Sequence, residues 1–476
     1  MNLPLLALLA ALLCTAPPAR ASQGVAPPAE GAAPQNLVVV TLDTVRADRL
    51  GCYGWFRDTS PNLDRFATDA LRFTRCQVPI AQTTPSHTSL FTGVGPFEHG
   101  VTSNHARRPQ GERADLQLQT GATLRTLAES FAARGVATGG FVTATPVKRF
   151  TGLAAGFADW SEPNQGRRIG REAIRDALAF LERNAARPVF LWVHLFDAHE
   201  PYVAPTPPKA FLERYSSEPR LLEWLAERGF PAEVADLGQH GRDVLSQQNL
   251  YDGALRFMDQ QLGVLLERLD AEPLRSTTTV VLVADHGTAL GQHDHVGHGI
   301  CWDEQLRVPL LVRVPGVAPA VHDVPLSTLD LWPTLAPLAP GLLDPAWLPQ
   351  CRGVDVLASD HEPRPLFAVS GRQGSLASVT AGRFKLIRDE RGETHLFDLA
   401  ADPFERNDVA AAHPQVVAGL RRLVDAEVDR QKKAHALHRR GGDEGTIDPK
   451  LLEELRELGY VGADAGVGDE GDDGGR

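Results

Sequence analysis

Hydrophobic and polar positions fall into two alternating patterns along most of the chain. Asn36–Leu42 (NLVVVTL) is a continuous β-branched apolar run, which predicts a strand buried on both faces. Val189–Leu195 and Thr278–Ala284 read the same way, and residues 136–142 are a further strand candidate. Between these runs the periodicity is helical. Residues 123–133 predict a helix capped by Thr123, with Leu124, Leu127 and Phe131 on one face and Gly135 at its end. Residues 172–184 predict another. Residues 247–269 predict a long amphipathic helix through Leu250, Leu255, Met258, Leu262, Leu265 and Leu269. Strands alternating with helices through short loops imply an α/β fold, a mostly parallel sheet flanked by helices on both faces.

The pattern changes further on. Residues 205–245 are less regular and read as an insertion beside the active face. From about residue 366, alternating strands at 380–389 and 393–398 flank a hairpin turn at Arg391-Gly392, and residues 413–431 form an amphipathic helix. The division that follows is a catalytic domain over 36–365 and a small C-terminal α+β subdomain with an antiparallel sheet over 366–435. A C-terminal extension covers 436–476, its Gly/Asp-rich end disordered from about 462.

At the N-terminus, residues 3–13 are apolar apart from Pro4, and Ala19-Arg20-Ala21 supplies a small-x-small cleavage site. So short a run cannot cross ~30 Å of hydrocarbon. Residues 1–21 therefore read as a signal peptide and 22–35 as a flexible leader, which makes the protein an exported one, periplasmic or secreted. Bulky Leu13 argues against a lipoprotein anchor at Cys14. No other segment is long and apolar enough to be transmembrane. Cys52, Cys76, Cys301 and Cys351 remain after cleavage, and an exported chain can oxidise them into one or two disulfides.

Composition narrows the class rather than naming it. With 48 basic and 60 acidic residues among 476, the net charge is −12. The acidic balance argues against nucleic-acid binding, which needs a basic footprint. A hydrophobic share of 43% excludes a disordered chain. Oligomeric state is not set by any of this.

The chemistry sits where the predicted strands end, as it does on open parallel sheets. Asp43 follows the first strand, Asp285-His286-Gly287 the strand ending at Ala284, and Asp197 and His199 the strand ending near Leu195. A single carboxylate there is usually a cap or a turn former. Three sets converging on one sheet edge point instead to a divalent ion, and these donors suit Zn²⁺ or Mn²⁺, with Ca²⁺ a poorer fit. Residues 83–93 (TTPSHTSLFTG) place hydroxyls at the head of a helix, where unpaired N–H groups and the dipole favour an anion or alkoxide. Such a segment alone could equally be a cap; its company favours chemistry.

Residues 36–54 (NLVVVTLDTVRADRLGCYG), 83–93, 283–294 (VADHGTALGQHD) and 303–311 (DEQLRVPLL) together resemble the sulfatases, as do 382–387 (GRFKLI) and 395–405 (HLFDLAADPFE). The resemblance runs in order over about residues 36–430. It implies the alkaline phosphatase superfamily fold, a large α/β domain with a small C-terminal domain. The sequence also departs from that family. Sulfatases carry Cys or Ser at the head of Cys-x-Pro-x-Arg and oxidise it to formylglycine; here Thr83 stands there and His87 takes the arginine position. Oxidising a threonine carbinol would give a ketone, so no formylglycine is expected. The Gly-Lys-Trp-His segment is replaced by GGFVTATPVKRF, where Lys148 is the candidate substitute.

Thr83-x-Pro-x-His87, with Thr92-Gly93, His99-Gly100 and Asn104, instead resembles the threonine-nucleophile nucleotide pyrophosphatase/phosphodiesterases. In these the downstream Asn contacts a phosphoryl oxygen. Phosphoethanolamine transferases and lipoteichoic acid synthases similarly pair a Thr nucleophile with an Asp-His motif. The resemblances imply that Asp43, Asp285 and His286 hold a divalent ion (Zn, Mn or Ca), with Thr83 as a further ligand and as nucleophile. His199, in His199-Glu200-Pro201, and His298, in His298-Gly299, then protonate the leaving group or bind the oxyanion. His87 and Asn104 complete the catalytic set. The alternative is a second metal on Asp197, His199 and His298. His293 and His295 read as solvated loop histidines. The expected reaction is hydrolysis of phosphate mono- or diesters in preference to sulfate esters, on a small-molecule, glycan or lipid ester. Its alternatives are sulfate-ester hydrolysis without formylglycine, or transfer to an alcohol acceptor.

Overall fold

A computed structural model describes residues 35–104, 124–203, 207–216, 218–228, 238–370, 377–389 and 391–438. The segments read as a signal peptide (1–21) and a flexible leader (22–35, all but its last residue) lie outside the described residues, as does nearly all of the C-terminal extension. Strands β1 (Asn36–Leu42), β2 (Leu71–Gln77), β3 (Ala137–Phe141), β4 (Asp159–Ser161), β5 (Val189–Leu195), β6 (Thr278–Ala284), β9 (Arg307–Arg313) and β10 (Ala320–Ser327) form the large sheet. Its order is β10-β2-β9-β6-β1-β5-β3-β4. Every neighbouring pair is parallel except those made by β9, which runs against both β2 and β6. The short hairpin strands β7 (Ala289–Leu290) and β8 (Val296–Gly297) pair only with each other. Strands β11 (Leu366–Val369), β12 (Ala377–Ala381), β13 (Phe384–Arg388) and β14 (Thr394–Asp398) build a separate antiparallel sheet in that order.

The helices that frame the site and the core are α1 (Pro61–Ala67), α2 (Thr83–Thr92), α3 (Pro96–His99), α4 (Leu127–Ala133), α5 (Gly170–Arg183), α6 (Pro219–Glu227), α7 (Gly238–Asp270), α8 (Leu331–Leu338) and α9 (Pro414–His438), with further single turns at Lys209–Leu212, Leu274–Thr277 and Asp303–Leu306. Side chains of β5 alternate between the two helical layers, as strand geometry requires. Phe190 and Trp192 meet Phe131 and Phe91 of α4 and α2, with ring centroids 4.7 Å apart in both pairs. Leu195, from the other face, packs against the start of α5. Central strands β1, β5 and β6 are buried along their full length, which is why their sequences are apolar without interruption.

Several expectations shift in detail. Helix α4 starts at Leu127 and is capped by Thr126, whose side chain accepts from Glu129 N–H at 3.1 Å while Glu129 accepts from Thr126 N–H at 2.7 Å. Thr123 lies outside the described residues. Helix α7 begins at Gly238, so it takes in the end of the irregular stretch assigned to an insertion. The strand expected over 380–389 is two strands, β12 and β13, joined through Gly382 at φ +59°. The hairpin turn at Gly392 is as expected, with φ +80° and Asp389 Oδ1 accepting from Arg391 and Glu393 N–H groups at 2.9 and 2.8 Å. Strands β9 and β10 were obscured by internal prolines. Pro309 cannot donate to the ladder, and the β2–β9 register shifts beside it, between Phe73 and Cys76.

The four cysteines within the described residues are free thiols rather than disulfides. Cys76 and Cys301 are fully buried, and burial pushes the Cys301 thiol up to about 11, so both are shielded and poorly ionised. Alkylating the unfolded, unreduced protein should modify Cys52, Cys76, Cys301 and Cys351 in full, as read by peptide mass. Any of these four protected until reductant is added would contradict the free-thiol arrangement.

Candidate active site

Strands β1 and β6 are neighbours in register, Leu42 beside Ala284, so their carboxyl ends deliver Asp43 and Asp285-His286 to one point. One ligand atom from each of Asp43, Asp285 and His286 lies within 4.8 Å of the others. Each carboxylate is half satisfied. Asp43 Oδ2 accepts from His194 Nε2 at 3.1 Å. Asp285 Oδ1 accepts from the N–H groups of Thr44 and His286 at 3.2 and 2.8 Å. Asp43 Oδ1 and Asp285 Oδ2 are buried with no hydrogen-bond partner among the described residues. Burial raises both carboxyls well above the ordinary range, and the charge on Asp43 raises Asp285 further. Orphaned oxygens on two adjacent carboxylates suit a cation. His286 adds a third donor: its Nδ1–H donates to Gly287 O at 2.8 Å, which turns the Nε2 lone pair inward. The residues present therefore fit a divalent ion.

Thr83 opens α2, directly after extended Gln82. Its Oγ1 lies 3.3 Å from His286 Nε2 and accepts from Asn104 Nδ2 at 3.2 Å. Asn104 is itself gripped twice, its Oδ1 accepting from Thr84 N–H at 2.7 Å and its own N–H donating to Gln82 Oε1 at 3.0 Å. His87 lies one turn below. Its Nδ1–H donates to Thr83 O at 2.8 Å, and its Nε2 accepts from Thr41 Oγ1 at 2.9 Å. Burial keeps that imidazole neutral. His87 thus touches the site at two places, the Thr83 carbonyl and, with Nδ1 3.6 Å from Oδ2, the Asp285 carboxylate.

His199 and His298 come together as expected, with their Nε2 atoms 3.3 Å apart. Both give their Nδ1–H to carbonyls, His199 to Glu200 O at 2.5 Å and His298 to Ala81 O at 3.0 Å. Two Nε2 atoms at this separation bond only with a proton between them, and burial together with the neighbouring His298 holds the His199 imidazole well below its usual range, so a proton placed there is readily given up. The His298 ring also stands 4.3 Å from that of His286, centroid to centroid. Lys148 is buried just beyond Pro146, whose carbonyl accepts from Thr84 Oγ1 at 2.6 Å.

Asp197 does not join this pair. Both of its carboxylate oxygens accept from Gly170 N–H at 3.1 Å, at the start of α5. A Cβ at position 170 would come 2.4 Å from Asp197 Oδ2, so glycine there is what lets the carboxylate reach the helix end. Of the alternative second metal set, the structure brings His199 and His298 together and turns Asp197 to the Gly170 N–H at the start of α5. His293 is also not a solvated loop residue, since both its nitrogens are hydrogen-bonded within the protein; His295 is half-buried.

One site residue escaped the sequence reading. His194 lies within β5, fully buried, and its Nε2–H donates to Asp43 while Thr143 N–H approaches Nδ1 at 3.4 Å. Its only signal was being the sole polar residue of VFLWVHL. Thr44 adds local strain, holding φ +57° although it is β-branched. That conformation aims its N–H at Asp285.

Comparison with known proteins places this arrangement. The family model described as Sulfatase matches residues 35–342. The chain belongs to the sulfatase family and is an ester-bond hydrolase. It is 25% identical over 419 residues to an ulvan-active sulfatase of Formosa agariphila, covering 79% of this chain and 76% of that one. The solved yidJ structure from Bacteroides fragilis superposes with TM-score 0.68 at 18% identity, covering 88% of this chain and all of that one. A phosphonate monoester hydrolase of Agrobacterium radiobacter shares the fold at TM-score 0.60 and 19% identity, covering 85% and 96% of the two chains. Among the described residues no helix is long and apolar enough to cross a membrane.

The placement of Asp197 is testable through pH. Burial pushes its carboxyl up to about 6, against ~3.9 for an unperturbed aspartate. Between those values the folded state binds a proton that the unfolded state has released, so its contribution to stability falls as pH rises through that window. Asp197→Asn keeps an acceptor for Gly170 N–H without the charge. Its urea midpoint relative to the natural protein should climb between pH 4 and 7. A variant weaker at pH 7 would mean that the helix end holds the ionised carboxylate favourably.

Proposed function

We propose that the protein is an exported, divalent-ion-dependent ester hydrolase in which Thr83 is the nucleophile, and that it cleaves phosphate mono- or diesters in preference to sulfate esters. The observation that carries this reading is the position of Thr83 Oγ1, 3.3 Å from His286 Nε2 and 3.2 Å from Asn104 Nδ2, at a helix start beside two orphaned carboxylate oxygens. Asp43, Asp285 and His286 would hold the ion, with Thr83 in reach. When bound, the ion supplies positive charge that favours the ionised hydroxyl and the developing charge on the ester oxygens.

The chain's own groups divide the remaining work. Thr83 Oγ gives up its proton to solvent and attacks the phosphorus or sulfur centre, and the bond to the ester oxygen breaks. The leaving oxygen takes a proton from the His199–His298 pair. Water then cleaves the ester formed on Thr83, its oxygen passing to the phosphorus or sulfur centre and one proton restoring the hydroxyl, while the histidine pair regains its proton from solvent. Asn104 steers Thr83 in the resting site and can donate to an equatorial oxygen during transfer. The first steps resemble those of a formylglycine enzyme, but threonine cannot supply that aldehyde. This chemical difference underlies the phosphoester preference. Sulfate-ester cleavage is the second reading, favoured by relatives such as the ulvan-active sulfatase. A glycan, lipid or small-molecule ester would fit either reading.

Bis(p-nitrophenyl) phosphate, p-nitrophenyl phosphate and p-nitrophenyl sulfate should be offered to the purified protein with Zn²⁺, Mn²⁺ and Ca²⁺ in turn. Phosphoester turnover is expected to dominate, and Thr83→Ala should abolish it. Dominant sulfate turnover that is also lost in Thr83→Ala would reverse the substrate preference while keeping the nucleophile. Turnover unaffected by the substitution would remove Thr83 from the mechanism. Asn104→Ala should lower kcat by about 10²-fold, the usual loss for one oxyanion donor. An unchanged kcat would limit Asn104 to a turn.

A further inference from the structure

The chain between His286 and His298 is a hairpin, with Ala289 paired to Gly297 and Leu290 to Val296. The large domain secures its first foot. Arg46 Nη1 donates to Thr288 O and Gln292 Oε1 at 3.1 and 3.2 Å, and Gln248 Nε2 donates to Leu290 O at 2.7 Å. The tip is different. His293 and Asp294 are consecutive non-glycine residues in the left-handed region, at φ +51° and +55°. Two such residues in a row persist only where surrounding contacts impose them.

Those contacts converge on His293. Its Nδ1 lies 3.1 Å from Glu304 Oε1, and its Nε2 lies 3.2 Å from both Phe404 O and Glu405 O. Every one of these oxygens is an acceptor, so both ring nitrogens donate. The ring also lies flat on Trp302, centroids 3.8 Å apart and planes 6° from parallel. Glu405 is anchored in turn, by Lys385 Nζ of β13 at 2.5 Å and by Asp303 N–H at 2.9 Å. The stretches 303–311, 382–387 and 395–405, which give the site no group of their own, thereby supply Glu304, Lys385 and the Phe404-Glu405 carbonyls to a single fixture.

We propose that His293 is a positioning residue for ester hydrolysis, latching the tip of the 286–298 hairpin to the small C-terminal subdomain so that His298 is held facing His199. The small subdomain is then part of the catalytic apparatus although it contributes nothing to the reacting centre. The inference rests on the reading of the His199–His298 pair as the leaving-group acid.

His293→Ala and His293→Gln in the full-length protein test it. In His293→Ala, kcat should fall by about ten-fold or more with KM within twofold, the loss expected when a reacting group is misaligned. Bound Zn²⁺ per chain and the urea midpoint should stay near the natural values, and His293→Gln should recover part of kcat by keeping one donor. Independently of any activity, amide hydrogen exchange should quicken across residues 289–298 and not across α2. A folded His293→Ala protein with both kcat and exchange unchanged overturns the latch. So does a kcat loss matched by loss of zinc or of folding. If the natural protein turns over none of the three esters, faster exchange still supports the latch while the catalytic reading fails. Should His293→Ala not fold, Glu304→Gln removes only the carboxylate charge from the latch, and the same two measurements decide.

Discussion

Two carboxylates forced together under the surface set the terms for everything around them. Parallel pairing of β1 with β6, strands about 4.8 Å apart, leaves Asp43 and Asp285 side by side because each is the first residue after its strand. Desolvating either charge costs several kcal/mol, and their mutual repulsion adds to it. His194 and two backbone N–H groups offset part of this and leave one oxygen of each uncompensated. The strained Thr44 conformation follows from the same need, since it turns an N–H toward Asp285. A helix start with a hydroxyl at its first residue is the natural neighbour for such a centre once a cation offsets the negative charge.

The nucleophile candidate is tied to the hydrophobic core by a chain of hydrogen bonds. Trp192 Nε1 donates to Thr41 Oγ1, which donates to His87 Nε2, and His87 Nδ1–H holds the Thr83 carbonyl. Trp192 is fully buried among Phe91, Phe157 and Trp160. The rotamer of a core tryptophan therefore bears on where α2 begins. Histidine at position 87 is a compact group that burial keeps neutral in this slot, with its Nδ1 3.6 Å from Asp285 Oδ2.

Much of this was legible in the chain, and the gaps have physical reasons. Asp43, Asp285 and His286 stood out because they follow uninterrupted apolar runs, and such runs end at one edge of a parallel sheet. His194 was hidden because its partner is set by the β1–β5 register, Thr41 beside His194, which a single sequence does not reveal. Asp197 carried the same signal as Asp43 and means something else, since the chain turns back and its carboxylate meets α5. Sequence places a residue at a strand end; it does not say which way the following loop faces. His293 is hidden for a similar reason, as two of its acceptors, the carbonyls of Phe404 and Glu405, lie more than a hundred residues away. Strands β9 and β10 carry prolines that a local reading takes as breaks.

The reversed direction of β9 has a consequence for how the site could diversify. The chain leaves the active edge of the sheet at Ala284 and, because β9 is antiparallel to β6, re-enters the sheet from that same edge at Arg307. The excursion between them carries Asp285, His286, His293 and His298 and never passes to the opposite end of the sheet. It is a closed cassette. Lengthening or exchanging its outer part leaves the pairing of β6 with β9 in register, so the rim of the site can be rebuilt without disturbing the strands that carry the charge.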